Sequence, residues 1–165
     1  MKPKNLLAAM LFQLGGISFA STSPVRADRI LIEKAAHRLT LFKDGVGIKT
    51  YKVALGRHPV GPKEKQGDKR TPEGLYTIDA RKDDSSYHRA LHVAYPNDED
   101  KARAAKLGVD PGGDIMIHGI RNGLGWLGPL HRTIDWTAGC IAVTDAQIDE
   151  IIKAVPIGTP VEIRP

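Results

Sequence analysis

The chain has 165 residues, 26% charged, 41% apolar and only 5% aromatic, with a single cysteine and a formal net charge of +5. That length supports one domain with a real core and is too short for two comfortable ones; one cysteine excludes an internal disulfide framework. Three of the five excess charges (Lys2, Lys4, Arg26) precede Asp28, leaving +2 for residues 28–165, so with aromatics scarce a nucleic-acid-binding face is disfavoured. What charge allows is a mild attraction to an anionic polymer such as cell wall.

In chain order, Lys2 and Lys4 form a basic head, Leu6 to Phe19 is largely apolar, and small residues follow at Ser18-Phe19-Ala20 and Val25-Arg26-Ala27. This predicts a secretory signal over 1–27, cut after Ala27 or alternatively after Ala20. The apolar run is shorter than the roughly 20 residues of a bilayer span and is broken by Gln13 and Gly15-Gly16, which favours cleavage over a retained anchor and argues against stable membrane insertion after processing. No cysteine follows it, so thiol lipidation there is excluded. The expected location is the periplasm or cell envelope.

From Arg29 to Leu55 the alternation of Ile30 and Ile32, then of Leu39 and Leu41, with turn chemistry at Lys43-Asp44-Gly45-Val46, predicts a β-meander. Pro59, Gly61, Pro62 and Gly67 punctuate a long polar surface loop through Arg70. Strands are expected again at Leu75–Ile78 and at Leu91–Tyr95. Asn97 or Asp98 caps a short helix through about Leu107, ended by Gly108. Ile115–Ile117 is a short buried strand that stops at His118. Thr144 or Asp145 caps a second helix bearing Ile148, Ile151, Ile152 and Val155 on one stripe, and Val161–Ile163 is the last strand. The pattern is mainly β with a few short helices, one domain over 28–165.

Cys140 stands where the irregular Thr137-Ala138-Gly139 enters the Ile141, Val143 alternation, and His118-Gly119 ends a strand. An imidazolium beside a thiol lowers its pKa from about 8.5 and makes a competent nucleophile. The Gly119 carbonyl is suited to accept from the histidine Nδ1 and leave Nε2 facing sulfur, in place of a triad carboxylate. The N–H groups of Gly139 and Cys140 are candidates for an oxyanion hole. The plainer reading makes Cys140 a small buried apolar residue and His118 a satisfied histidine at a strand end; the pair together, with glycines beside both in an exported chain, favours catalysis. His88 and His92 have helical zinc spacing but lie in a strand pattern, about 13 Å apart, so they cannot share a metal. His131 is expected to be exposed, Asp135 to orient a histidine or form a turn, and Lys63, Lys65, Lys69 and Arg70 to be a solvated loop.

At these residues the chain resembles the YkuD-type L,D-transpeptidase catalytic domain, in its YafK-like branch. The shared pattern is His118-Gly119, the insert Ile120 to Trp136, and Thr137-Ala138-Gly139-Cys140; upstream, Thr71-Pro72-Glu73-Gly74-Leu75-Tyr76 is similar to the family's Thr-Pro-x-Gly-x-Tyr/Phe segment. The resemblance implies a compact β-sandwich or barrel-like mixed sheet with two or three short helices. It implies a cysteine acyltransferase: Cys140 attacks the diaminopimelate carbonyl of a peptidoglycan tetrapeptide stem, D-alanine leaves, and His118 deprotonates an acceptor amine, from another stem or a wall-anchored protein lysine. No metal or organic cofactor is needed. Thr137 belongs to the motif, and Arg121, Asn122, Trp126 and Arg70 are expected contacts for stem carboxylates from charge and location. Many members carry arginine two residues after the cysteine, where this chain has Ala142. Two other readings keep the fold: a cysteine amidase or carboxypeptidase in which water resolves the thioester, and a wall-binding module without turnover. A papain-like peptidase is disfavoured by the β-rich pattern and the close His-to-Cys order.

Overall fold

The structure, a computed structural model, describes residues 25–165; the expected export segment lies almost wholly outside them. Turn and cap residues set most boundaries. β1 (Arg29–Glu33), β2 (Arg38–Lys43) and β3 (Val46–Lys52) form the expected meander, with Asp44 and Gly45 at the positive φ that the β2–β3 turn requires. β1 is paired along both edges, antiparallel with β2 and parallel with β8 (Pro160–Arg164), and its central Ile30, Leu31 and Ile32 are all buried. β3 is the exposed edge, protected by Lys49 and Lys52.

β4 runs from Gly74 to Ser85, well past the apolar alternation that announces it, and β5 (His88–Val93) returns beside it. The stretch Asp79–Ser85 is charged because it leaves the body of the domain as half of a hairpin. Register shifts after Ile78 and after Lys82 bend this strand. α1 (Asp98–Leu107) has a complete capping box between Asn97 and Asp100 and ends at left-handed Gly108. β6 (Met116–His118), β7 (Ile141–Ala142) and α2 (Asp145–Ala154, boxed by Thr144 and Gln147) complete the set. Gly125–Thr133 is a kinked 3-10 segment inside the glycine-rich insert, a third short helix that the sequence pattern did not show.

The strand order is β3-β2-β1-β8-β4-β5-β6-β7, one mixed eight-stranded sheet. Its two ends meet: the chain leaving β3 bonds Ala54 N–H to the Ala142 carbonyl (2.9 Å) and the reverse (2.8 Å), and Thr137 N–H to the Leu55 carbonyl (3.1 Å). The expected barrel-like mixed sheet with few helices is what forms. Ile30, Ile32, Leu39, Leu41, Leu55, Ile78, Leu91, Ile117 and Ile141 fill the interior, and α2 adds Ile148 and Ile151. Each such side chain contributes about 1.5–3 kcal/mol relative to exposure.

The Thr71–Tyr76 segment acts as a strap. Thr71 Oγ1 accepts from Gly56 N–H, and Tyr76 donates to Asp100. The buried Lys34 ammonium, only 3% exposed, donates to the carbonyls of Gly61 and Thr71 and to Glu73 Oε1 (2.7 Å). Lys63, expected in solvent, is also buried: its ammonium bonds Asp68 Oδ1 (2.8 Å) and the Lys65 carbonyl. A buried ammonium requires such a partner set, and two of them pin the polar loop to the domain.

Candidate active site

β6 and β7 are parallel neighbours, with Ile117 opposite Ile141 and His118 opposite Ala142. Period-two alternation turns Met116 and His118 to one face and Cys140, just before β7, to the same face. The outcome is one cavity of about 620 Å³ whose walls include both His118 and Cys140. Cys140 is partly exposed to it, so the thiol is not sealed beneath aliphatic packing.

His118 is 4% exposed. Its Nδ1–H donates to the Gly119 carbonyl (2.6 Å); a carbonyl only accepts, so the hydrogen sits on Nδ1 and Nε2 keeps a lone pair. The Tyr87 ring packs 4.6 Å from the imidazole, centroid to centroid, and Trp136 meets it edge-on at 5.7 Å. Burial holds the His118 pKa below the ordinary histidine value, against the opposing pull of the Gly119 carbonyl. Burial likewise pushes the Cys140 thiol up, opposed by the Met116 N–H, and the thiol hydrogen has an acceptor in the Asp114 carbonyl (Sγ to O, 3.4 Å). Both shifts favour a neutral thiol and a neutral imidazole over the thiolate–imidazolium pair the sequence suggested.

Three backbones touch beneath the thiol. A Cβ on Gly56 would lie 2.2 Å from the Lys69 carbonyl oxygen, and one on Gly139 would lie 2.6 Å from the Arg70 carbonyl oxygen. Gly139 also has φ +134°, so both space and conformation demand glycine there. Thr137, buried, bridges the turn: its hydroxyl accepts from Gly139 N–H (3.1 Å) and donates to the Cys140 carbonyl (2.7 Å). Of the two expected oxyanion donors, Gly139 N–H is thus taken up by Thr137. Gly119 is fixed similarly, a Cβ there meeting Asp145 Oδ1 at 2.7 Å.

The profile of the L,D-transpeptidase catalytic domain (YkuD) matches residues 27–163. The chain belongs to this family. It is 32% identical over 108 residues to the Escherichia coli (strain K12) protein YafK, a match covering 64% of this chain and 36% of that protein; the chain thus spans about a third of that relative's length. Among solved structures it is similar to the helical cell shape determining protein Pgp2 of Campylobacter jejuni (K307A mutant; TM-score 0.65, 22% identity, 85% of this chain and 47% of that one). It is also similar to Bdellovibrio bacteriovorus Bd1075 (TM-score 0.59, 25% identity, 87% and 50%) and to an L,D-transpeptidase of Xylanimonas cellulosilytica (residues 123–326; TM-score 0.54, 16% identity, 85% and 61%).

Within this L,D-transpeptidase fold, Arg121, Asn122, Trp126 and Arg70 do not line the cavity that holds Cys140 and His118. Asn122 is occupied in holding the β4–β5 hairpin, its Oδ1 accepting from His88 N–H and its Nδ2 donating to the Ser85 carbonyl. The Arg70 guanidinium turns to Glu64 and the Pro62 carbonyl. Trp126 is 78% exposed, and Arg121 lines an adjoining, leucine-rich cavity of about 680 Å³ that shares Arg57, Tyr87 and Trp136 with the thiol cavity. The polar and aromatic walls of the thiol cavity instead come from Arg57, Lys69, Lys82, Asp84, Tyr87 and Trp136. No local pattern marks these residues; the closure of the sheet and the long hairpin bring them in.

His131, expected in solvent, is buried at 6% exposure. Its Nδ1 accepts weakly from Trp136 Nε1–H, and burial foremost, then Arg132 and His118, push its pKa down to about 4. Asp135 supports His37 and the Leu55 N–H, not His118. His88 and His92 both lie on β5, paired with Asp149 and Asp79 respectively. Ala142 is fully buried opposite His118, and its N–H and carbonyl are both committed to Ala54.

Proposed function

We propose that the chain is a peptidoglycan L,D-transpeptidase that uses Cys140 as its nucleophile. What carries this reading is the opening of Cys140 and the Nδ1-protonated His118 into one cavity. As the diaminopimelate carbonyl of a tetrapeptide stem approaches, Nε2 of His118 takes the thiol proton and sulfur adds to the carbonyl carbon. The Cys140 N–H stabilises the resulting oxyanion; Thr137 and Gly139 position it. Collapse of the adduct breaks the C–N bond, and the imidazolium returns its proton to the departing D-alanine amine. An acceptor amine, from a second stem or a protein lysine, then attacks the thioester as Nε2 removes its proton, and the thiol is restored. Burial of the base serves this cycle by keeping it neutral until a proton is available.

The expected export segment and the proposed substrate both support a cell-envelope location. Ala27 packs in the core and donates its N–H to the Ala154 carbonyl, so processing after Ala20 preserves a contact that processing after Ala27 removes.

The test is incubation of the pure protein with tetrapeptide-bearing muropeptides, followed by mass analysis. Crosslinked dimers with release of D-alanine are expected, and Cys140→Ala abolishes them. Shortened monomers alone would assign hydrolysis, and unchanged muropeptides would reduce the chain to a wall-binding module.

A further inference from the structure

Of the cations in the 57–70 loop, Lys63 is paired with Asp68 and Arg70 with Glu64, while Lys65 points to solvent. Arg57 and Lys69 are the cations of this loop that line the thiol cavity. Arg57 and Lys69 enter no ion pair among the described residues, and both are exposed on its wall.

Their backbones are in contact. Gly56, adjacent to Arg57, lies against the Lys69 carbonyl, which also accepts from His58 N–H (3.1 Å). Arg57 is further anchored beside the nucleophile's turn, its N–H bonding the Thr137 carbonyl (3.1 Å) and its Nε the Trp136 carbonyl (3.3 Å). An anion entering the cavity thus meets a wall that bears both charges. The other charged residues of the lining are Lys82, Asp84 and Asp114.

We propose that Arg57 and Lys69 form a carboxylate clamp at the mouth of the Cys140 cavity, binding a carboxylate carried by the acyl donor close to its scissile carbonyl. The clamp rests on the reading of Cys140 as nucleophile and adds to it the charge of the substrate the site selects. Guanidinium and ammonium groups suit this task through charge-assisted hydrogen bonds.

The experiment compares Cys140 alkylation by anionic iodoacetate and by neutral iodoacetamide, which needs no turnover. Each reagent forms a thioether and releases iodide. In the Arg57→Gln, Lys69→Gln double variant the ratio of iodoacetate to iodoacetamide rates falls roughly tenfold; the ratio cancels any change in thiol ionisation common to both reagents, and a thermal melt reports an intact fold. Lys153→Gln, on the exposed face of α2, leaves the ratio unchanged. An unaltered ratio in the double variant overturns the clamp. A second arm uses tetrapeptide stems amidated either at the terminal D-alanine or at the diaminopimelate side-chain carboxylate. The clamped group is the one whose amidation raises KM in the native enzyme and no longer does so in the double variant; additive effects at both positions overturn the proposal. A charge-dependent ratio without any peptide turnover would leave the anion site standing and remove the transpeptidase reading.

Discussion

Replacing Thr137 by valine tests the turn that presents the thiol. Valine keeps the shape of threonine but removes the hydroxyl that joins Gly139 N–H to the Cys140 carbonyl. Each buried polar group left without a partner costs about 1–3 kcal/mol, so two give about 2–4 kcal/mol once water from the cavity meets part of the loss. For a domain of this size that is a drop in Tm of roughly 6–12 °C. Thr137→Ser keeps the hydroxyl and loses one methyl group, about 0.8 kcal/mol. Thermal melts read the stability, and the iodoacetamide rate at Cys140 reads the turn itself. The valine variant is expected to melt lower and to alkylate at a changed rate, with serine close to the native protein in both. Serine proving as damaging as valine, or valine melting within about 2 °C of the native protein at an unchanged rate, would refute the role given to the bridge.

Two further outcomes follow from the charge states. Because burial raises the thiol pKa and lowers that of His118, Cys140 alkylation should rise with pH through a midpoint above the ordinary cysteine value of about 8.5. Acyl transfer should keep its base neutral to below the ordinary histidine value of about 6.5; an alkylation midpoint below 7 would instead indicate a preformed thiolate pair. Asp68, 8% exposed, has a folded pKa lowered from 3.8 to about 2: burial raises it, but Lys63 and the N–H groups of Glu64, Lys65 and Arg70 outweigh that. Its contribution, about 2 kcal/mol, is present above the unfolded value near 3.8 and is lost as pH falls through about 2. Denaturant melts should show Asp68→Asn destabilised at pH 6 by at least that amount, since Lys63 is left buried and unpaired, with the gap closing between pH 4 and 2. A gap that stays constant over that window would contradict the assignment.

Local chemistry made much of the fold legible. Asn97 and Gly108 bracket α1, Thr144 opens α2, and the Lys43–Val46 turn joins two strands because caps and turns depend on nearest neighbours. The apolar alternation marks only Leu75–Ile78 of the long β4, because Asp79–Ser85 carries charge on both faces, as a projecting hairpin does. Lys63 looks solvated in sequence because no periodicity marks the loop turn that wraps it onto Asp68, five residues on, and the Lys34–Glu73 pair is brought together only by tertiary geometry. His131 is buried because the 3-10 segment, with its internal Pro129, folds the insert back, and no periodicity announces that. At the site, Cys140 and His118 are legible through their flanking glycines and strand ends. Arg57, Tyr87 and Trp136 are not, because they come from three separate connections that meet only when the sheet closes.

The loop between Arg57 and Asp68 begins and ends at one neck, where Gly56 abuts the Lys69 carbonyl and His58 N–H bonds the same oxygen. Chain added at Val60, which is 85% exposed and lies outside the Lys63–Asp68 bonds, would not have to move either end of that neck, and lengthening a loop costs little closure entropy. The loop can thus be extended there while Cys140 and His118 keep their places.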